Sequence, residues 1–250
     1  IASCLVGSEM CIRDRLKAGM SNNSLINLFR SGNQTPVQVT FNTIRTAKDL
    51  AGKVSQQIEA DSTDLYALLT NEEFANSYGF NRNTFLTLFL PNTYEFYWNT
   101  SAKEFIQKMA KEYKRFWNED RMAKARSLNL SQSEVAVLAS IVQAEQSQHP
   151  DERPKVAGLY INRLKKGMRL ESDPTLVFAI GDFSIRRVLN KHKEINSKYN
   201  TYKYAGLPPG PINLPEISSL DAVLNYEKHD FIFMCACLLY TSPSPRDKRQ

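Results

Sequence analysis

Glu145 is the residue whose position best suits acid–base chemistry. The stretch from Ser131 to Glu145 predicts a helix, because Ser131 and Glu134 have the spacing of a capping box. At about 100° per residue, Glu145 projects into the middle of one apolar arc, which consists of Val135, Val137, Leu138, Ile141 and Val142. A carboxyl group there is poorly solvated, so its pKa rises toward the range that suits a general acid. Alternatively, the last turn emerges into water and Glu145 is an ordinary surface residue.

Three turn-rich segments could present polar groups to a ligand beside such an acid. They cover residues 171–176, 199–202 and 206–212, where Pro and Gly can fix unusual backbone shapes. The same segments could equally be plain connections. The sequence has no Gly-rich phosphate loop and no Gly-x-Ser-x-Gly nucleophile motif. We expect no cofactor and no metal, since the histidines are too scattered for a zinc site: His149, His192 and His229.

Both ends of the chain are expected to be translated sequencing adapter. A DNA sequence that encodes residues 237–242 has a reverse complement that, in a shifted frame, encodes residues 10–14. We therefore assign residues 1–15 and 237–250 to adapter and exclude them from the fold. Three of the four cysteines lie in those ends, so only Cys235 remains and no disulfide framework is expected. The native protein is expected to extend further in both directions.

The remaining residues can bury one good-sized core and are numerous enough for a small accessory domain as well. Residues 246–249 carry a net charge of +2, so without the ends the formal net charge falls from +6 to +4. This mild excess is compatible with an anionic polymer or a membrane surface. The sequence contains no run of about 18 apolar residues, which a membrane-spanning helix would require. Lys111, Lys114 and Arg115 could form a nucleic-acid patch, but we favour the solvated face of a helix and expect no nucleic-acid partner.

The elements that position these residues are mostly helices, with short strands. Alternation predicts a strand over residues 37–41, and the aromatic segment 85–98 is too interrupted for a helix. Gly167 suits a left-handed helix cap, and Tyr160 falls on the apolar stripe of the helix before it. Helices are predicted over residues 24–29, 64–69 and 151–166, and from Thr46 and Ser101.

Several stretches resemble motifs of the endolytic murein transglycosylase family MltG, also called YceG-like. They are Leu90-Pro-Asn-Thr-Tyr-Glu-Phe96, Ala139-Ser-Ile-Val-Gln-Ala-Glu145, Val156-Ala-Gly-Leu-Tyr-Ile-Asn-Arg-Leu164, Gly167-Met-Arg-Leu170, Ser172-Asp-Pro-Thr175, Tyr199-Asn-Thr-Tyr202 and Gly206-Leu-Pro-Pro-Gly210. The resemblance spans nearly all residues outside the predicted adapter, in the right order. It implies an α+β fold, with a mostly helical catalytic domain over residues 45–236 that is truncated at its C-terminus. The remnant of a small LysM-like α/β subdomain would precede it at residues 16–44.

The resemblance also implies a function. Such an enzyme is anchored in the cytoplasmic (inner) membrane by a single N-terminal span, here missing, and its catalytic domain faces the periplasm or the outer surface. It cleaves nascent peptidoglycan glycan strands within the chain, and peptidoglycan synthases are possible partners. Glu145 falls at the family's catalytic glutamate. Family members often carry a further acidic residue two positions earlier, where this chain has Gln143.

A lone carboxylate suits a lytic transglycosylase. Ordinary glycosidases usually employ two, whereas here Glu145 would protonate the leaving oxygen of the MurNAc-GlcNAc bond. It would then accept a proton from the muramoyl 6-hydroxyl, whose attack leaves a 1,6-anhydro-MurNAc end. Oriented hydrogen bonds can stabilise the oxocarbenium-like state. The expected substrate-binding residues are Asp173, Thr175, Asn200, Tyr202, Gly206, Leu207, Pro208, Pro209 and Gly210.

Two other functions stay open at this point. A hydrolytic muramidase would share Glu145 as the acid and use water with a second carboxylate such as Asp173. Asp173 could equally do no more than hold an Asp-Pro turn. A non-catalytic glycan-binding module is suggested by the LysM-like remnant and the aromatic residues 94–98, whereas Glu145 on its apolar face argues against it.

Overall fold

A computed structural model describes residues 19–31 and 35–234 of the chain. The predicted adapter ends and Cys235 lie outside the described residues. The helices are α1 (Asn22–Ser31), α2 (Ala47–Ser55), α3 (Ser62–Thr70), α4 (Glu72–Ser77), α5 (Ala102–Phe116), α6 (Glu119–Ser127), α7 (Gln132–Glu145), α8 (Arg153–Lys165), α9 (Asp173–Ile180) and α10 (Ile217–Leu224). The strands are β1 (Val37–Phe41) and β2 (Asn92–Phe96), and 3-10 turns occupy Phe85–Leu88, Pro150–Glu152 and Asn190–Glu194. The predicted α+β class is confirmed.

The two strands pair antiparallel, with Phe41 of β1 opposite Asn92 of β2. β1 covers the residues that the alternation predicted, and its Val39 and Phe41 are fully buried. The aromatic segment 85–98 is indeed no α-helix, because it holds a 3-10 turn followed by β2. The LysM-like character of residues 16–44 stays a prediction.

Helix α7 lies at the centre of the helical region. The predicted capping box is present, since the Ser131 N–H donates to Glu134 at 2.8 Å and the Glu134 N–H donates to Ser131 at 3.2 Å. Every residue from Val135 to Val142 is buried, including Ser140. The prediction that only one face of this helix is buried was therefore wrong, because the helix is buried on all sides over these residues. The reason is that α8 and α10 both pack against α7. A further segment contacts it where the Ile212 N–H donates to Ser140 Oγ at 3.1 Å.

The segments on either side of α8 only partly match the sequence expectations. The helix predicted from Asp151 begins as a 3-10 turn and becomes α-helical at Arg153. Gly167 follows with a φ of +65°, which confirms the left-handed cap. Residues 171–176 were predicted to be a turn, but α9 begins at Asp173. Proline near its start is compatible with a helix, because the first turn needs no N–H partner there.

Residues 19–31 and 35–234 contain neither a helix that could span a membrane nor a cluster of metal-ligating side chains. In those ranges no helix is both long enough and apolar enough to cross a bilayer. The same ranges contain no group of three or more His, Cys, Asp or Glu residues that could hold a metal ion.

Candidate active site

Glu145 is the last residue of α7, and its carboxyl group meets two hydroxyl groups from other elements. Ser172, just before α9, donates to Oε1 at 2.5 Å, and Tyr160 of α8 donates to the same oxygen at 3.0 Å. Both donors are buried, whereas the Glu145 side chain remains open to solvent. The last turn of α7 therefore does emerge toward water, while one oxygen of Glu145 is fixed by the protein.

The surroundings of Glu145 change its acidity. Burial of the carboxyl group is the largest effect and raises the pKa of Glu145. The hydrogen bonds from Ser172 and Tyr160 lower that pKa, because they stabilise the carboxylate, and the negative charge of Asp173 raises it. Solvent reaches part of the side chain, yet protein atoms crowd the carboxyl group, and this crowding decides the direction of the shift. A carboxyl group with a raised pKa can keep its proton closer to neutral pH, as a general acid must.

Two buried threonines hold Ser172 in place. The Ser172 N–H donates to Thr201 Oγ1 at 3.0 Å, and the Ser172 carbonyl accepts from Thr175 Oγ1 at 2.7 Å. The two threonine hydroxyl oxygens lie 2.8 Å apart. Thr175 is 0% exposed, so it cannot make the direct substrate contact that was expected of it. The structure gives it the different task of positioning Ser172.

Arg163 of α8 fixes the loop that leads into Ser172. Its guanidinium donates to the carbonyl oxygens of Arg169 and Leu170 at 3.2 and 2.6 Å, and it pairs with Glu171 at 3.2 Å. Glu171 adopts a φ of +54°, a left-handed conformation that residues with a side chain rarely take. The buried cation thereby holds an unfavourable turn immediately before the residue that contacts the carboxyl group.

Asn200 uses its whole amide group inside the protein. Its Nδ2 donates to the carbonyl oxygens of Lys193 and Ile195 at 2.9 and 2.8 Å, and its Oδ1 accepts from the Tyr202 N–H at 3.0 Å. Asn200 is 0% exposed, so the expected direct contact with a sugar is not possible in this arrangement. Its role here is to shape the turn that carries Tyr202.

Tyr202 and Asp173 form a pair beside Glu145. The Tyr202 hydroxyl donates to Asp173 Oδ1 at 2.6 Å. Burial and the contact with Asp173 raise the pKa of Tyr202, so the phenol stays neutral and remains a donor. Asp173 is exposed and Tyr202 is half-buried, which leaves both able to contact a ligand. Of the predicted binding residues, this pair is the one for which the structure shows an electrostatic link to Glu145.

The 206–210 loop lies elsewhere. Residues 206–209 line a cavity of about 570 Å³ together with Glu134, at the first turn of α7. Glu134 and Glu145 are eleven residues apart, which corresponds to about 16 Å along a helix. Gly210 is buried, and a Cβ there would lie 2.3 Å from the Asn83 carbonyl oxygen, so its role is close packing. Gly206, Leu207, Pro208 and Pro209 thus line a cavity near the other end of α7 from Glu145, Gly210 packs against Asn83, and contact of this loop with substrate stays a prediction.

Gln143, two positions before Glu145, has a structural use here. Its Oε1 accepts from the Glu216 N–H at 2.7 Å and from Ser219 Oγ at 3.0 Å. The buried Arg153 side chain also contacts both residues, and its Nε donates to the Gln146 carbonyl at 3.0 Å. This network ties the C-terminal end of α7 to α8 and α10, which fixes the backbone on both sides of Glu145.

Comparison with known protein families shows which family this chain belongs to. The sequence model of the YceG-like family matches residues 15–242. The chain belongs to the YceG-like family. A solved structure of a yceG-like protein, lmo1499 from Listeria monocytogenes, aligns with a TM-score of 0.70 at 25% identity. That alignment covers 93% of this YceG-like chain and 81% of the Listeria chain, so the two share a fold.

Two relatives carry the same functional name. The endolytic murein transglycosylase of Bacillus subtilis (strain 168) is 31% identical over 237 residues, which covers 88% of this YceG-like chain and 65% of the relative. The endolytic murein transglycosylase of Streptococcus pneumoniae serotype 2 (strain D39 / NCTC 7466) is 32% identical over 115 residues, or 44% of this chain and 21% of the relative. The chain thus spans less than two thirds of the length of each.

Sequence reasoning missed both residues that bond Glu145 in this YceG-like chain. Ser172 lies in the motif Ser-Asp-Pro-Thr, in which the carboxyl group of the neighbouring Asp173 is the stronger chemical signal. Tyr160 gave no such signal, since it fits the apolar stripe of α8 and is 6% exposed. The Tyr160 hydroxyl reaches Glu145 only because α7 and α8 pack together, and no local sequence pattern predicts that packing.

Proposed function

We propose that this YceG-like chain belongs to an endolytic murein lytic transglycosylase in which Glu145 acts first as general acid and then as general base. One observation carries the proposal. Oε1 of Glu145 already accepts hydrogen bonds from Ser172 and Tyr160, while no residue in the described ranges bonds Oε2. The carboxyl group is thus oriented, its pKa is raised, and one oxygen is free for a substrate. The names of the two relatives support murein as the substrate.

In the first step, Glu145 donates a proton to the glycosidic oxygen. The burial that raises its pKa favours the protonated form beforehand. The proton leaves from Oε2, because Oε1 is occupied. The bond between the muramoyl C1 and the leaving oxygen breaks, its electron pair stays on that oxygen, and positive charge develops on the sugar ring. Ser172 and Tyr160 stabilise the resulting carboxylate with charge-assisted hydrogen bonds.

In the second step, the Glu145 carboxylate accepts a proton. The donor is the muramoyl 6-hydroxyl, whose oxygen attacks C1 of its own sugar and closes a 1,6-anhydro ring. Glu145 returns to its protonated form, so the cycle consumes no water. The attack is intramolecular, which lowers its entropic cost. The negative charge of Asp173, which accepts a hydrogen bond from Tyr202, would stabilise the positive ring between the two steps.

A hydrolytic muramidase is the second candidate, and the position of Asp173 is what favours it. The negative charge of Asp173 raises the pKa of Glu145, so the site contains two carboxyl groups that interact. A muramidase would need Asp173 to activate water or to attack the sugar. Tyr202 already donates to one Asp173 oxygen at 2.6 Å, so this oxygen is engaged within the protein and is not free to take a proton from water. For this reason we favour the transglycosylase.

The location and partners of the protein follow from the proposed substrate. Murein lies outside the cytoplasmic membrane, so the proposal places the catalytic domain on the periplasmic or extracytoplasmic side. A single-pass anchor in the cytoplasmic membrane and association with peptidoglycan synthases belong to the same proposal. Cleavage inside strands, as opposed to release from an end, is supported by the word endolytic in the names of the relatives.

The substitution Glu145→Gln tests the proposal. The amide keeps the size of the side chain and its oxygen can still accept from Ser172 and Tyr160, but it cannot give and recover a proton. General acid–base catalysis contributes about 10²- to 10⁴-fold, and we expect turnover of uncrosslinked glycan strands to fall by at least that range. Glu134→Gln is the matched control on the same helix, because glutamine is also accepted in a capping box. Near-normal turnover by a folded Glu145→Gln variant would remove Glu145 from the mechanism.

A further inference from the structure

Two cations flank Tyr202 at the edge of the candidate active site. The Lys193 ammonium lies 4.5 Å from the centre of the Tyr202 ring. Arg169 donates from Nη1 to the Tyr202 carbonyl oxygen at 3.1 Å. Tyr202 in turn bonds Asp173, whose charge influences Glu145. Both cations therefore lie next to the groups that would handle the sugar.

Neither cation is paired with a carboxylate among the residues that the structure describes. The salt bridges found there are Arg121–Asp221, Lys124–Asp120, Arg153–Glu216 and Arg163–Glu171. Arg169 is exposed and Lys193 is half-buried, so both remain accessible to a ligand. Their positive charge is available to an anionic group that arrives from solution.

The stretch that contains Lys193 is itself strongly basic. Residues 182–204 carry six Lys or Arg side chains against two carboxylates. A concentration of one sign of charge attracts and orients ligands of the opposite sign. The stretch that contains Lys193 therefore brings net positive charge to this side of the site, opposite the carboxylates of Asp173 and Glu145.

The position of Lys193 relative to Tyr202 is fixed from within the protein. The buried amide of Asn200 donates to the Lys193 carbonyl at 2.9 Å and accepts from the Tyr202 N–H at 3.0 Å. One fully buried side chain thus connects the backbone of both residues. Because the backbone of Lys193 is held, binding at its side chain requires less ordering of the chain than binding at a lysine on a mobile segment.

We propose that Lys193 and Arg169 form a carboxylate-binding subsite that engages the acidic peptide stem of a murein strand while Glu145 acts on the glycan. The inference rests on the proposed function, since it takes murein as the substrate. The peptide stem is attached to the muramoyl sugar and carries free carboxylates, so it lies beside the bond to be cut. Arg169 and Lys193 offer N–H donors with formal charge, which carboxylates prefer as partners.

Binding measurements with the whole chain test this subsite without relying on turnover. In a Glu145→Gln background, the affinity for stem-bearing glycan strands is compared with the affinity for strands whose peptides have been removed. We expect Lys193→Gln to reduce the ratio of these affinities by about two- to fivefold, the range of a solvent-accessible ion pair. Lys193→Arg should restore the ratio because it keeps the charge, and added salt should reduce it. Lys111→Gln, an exposed lysine on α5, is the matched control and should leave the ratio unchanged.

Three outcomes would overturn the subsite. An unchanged affinity ratio in Lys193→Gln would show that the charge does not contact the stem. Equal losses in Lys193→Gln and Lys193→Arg would indicate a structural effect of the side chain. Binding to vesicles of anionic phospholipid that needs Lys193, with no preference for stems, would assign the cations to a membrane surface. A wild-type chain that binds stems through Lys193 yet never cuts would refute the proposed function and leave only the contact between Lys193 and the stem standing.

Discussion

Replacing Ser172 by alanine removes the shorter of the two hydrogen bonds to Glu145. That bond, 2.5 Å long, stabilises the carboxylate, so its loss raises the pKa of Glu145. A hydrogen bond to a charged group is worth about 1.5–3 kcal/mol. Because solvent reaches Glu145, we reduce this to about 1 kcal/mol. The carboxylate that forms after proton donation is destabilised by that amount, so turnover should fall by about fivefold.

The pH–rate profile on uncrosslinked strands separates this effect from a general loss of structure. Activity of the wild type should decline as the pH rises through the pKa of Glu145, because the first step needs the protonated acid. In Ser172→Ala this decline should move to higher pH. Ser140→Ala is the matched control, since its buried hydroxyl donates to the Val137 carbonyl on α7 and has no contact with Glu145. It should lower the melting temperature without moving the profile. If the decline of activity at high pH occurs at the same pH in Ser172→Ala as in the wild type, or at a lower pH, the reasoning is refuted.

Three further predictions concern stability and are checked by thermal unfolding. The raised pKa of Glu145 means that the wild type loses stability as the pH rises through it, so Glu145→Gln should gain in melting temperature over the wild type toward alkaline pH. Gly158→Ala should cost about 1–3 kcal/mol, because its Cβ would lie 2.3 Å from a carbonyl oxygen, whereas Gly52→Ala meets open space and should cost nothing. A chain limited to residues 16–236 should melt like the whole chain, unless the predicted adapter ends belong to the core.

The sequence predicted those parts of the fold that local patterns specify. The capping box of α7 depends on residues three positions apart, and β1 depends on an alternation over five residues. Both were correct because all the interacting atoms lie close together in the chain. The start of α9 was missed because Asp-Pro-Thr suits a turn as well as a first helical turn.

The surroundings of Glu145 could not be predicted in the same way. Its two hydrogen-bond donors are 15 and 27 residues away in sequence, so they depend on how α8 and the loop before α9 pack against α7. A motif also does not say whether a residue touches a ligand or holds a turn. Thr175 and Asn200 matched their motifs, yet burial leaves them no surface for a sugar. Residues 206–209 likewise matched, but they lie at the other end of α7.

The central claim is that the muramoyl 6-hydroxyl, and not water, attacks the sugar after Glu145 has protonated the leaving group. Mass spectrometry of fragments from uncrosslinked glycan strands, digested in ¹⁸O-labelled water, tests this most directly. The account predicts 1,6-anhydro ends that are lighter by one water and carry no label, together with internal fragments of many lengths. Labelled reducing ends as the main product would contradict it and would assign to Asp173, or another carboxylate, the activation of water.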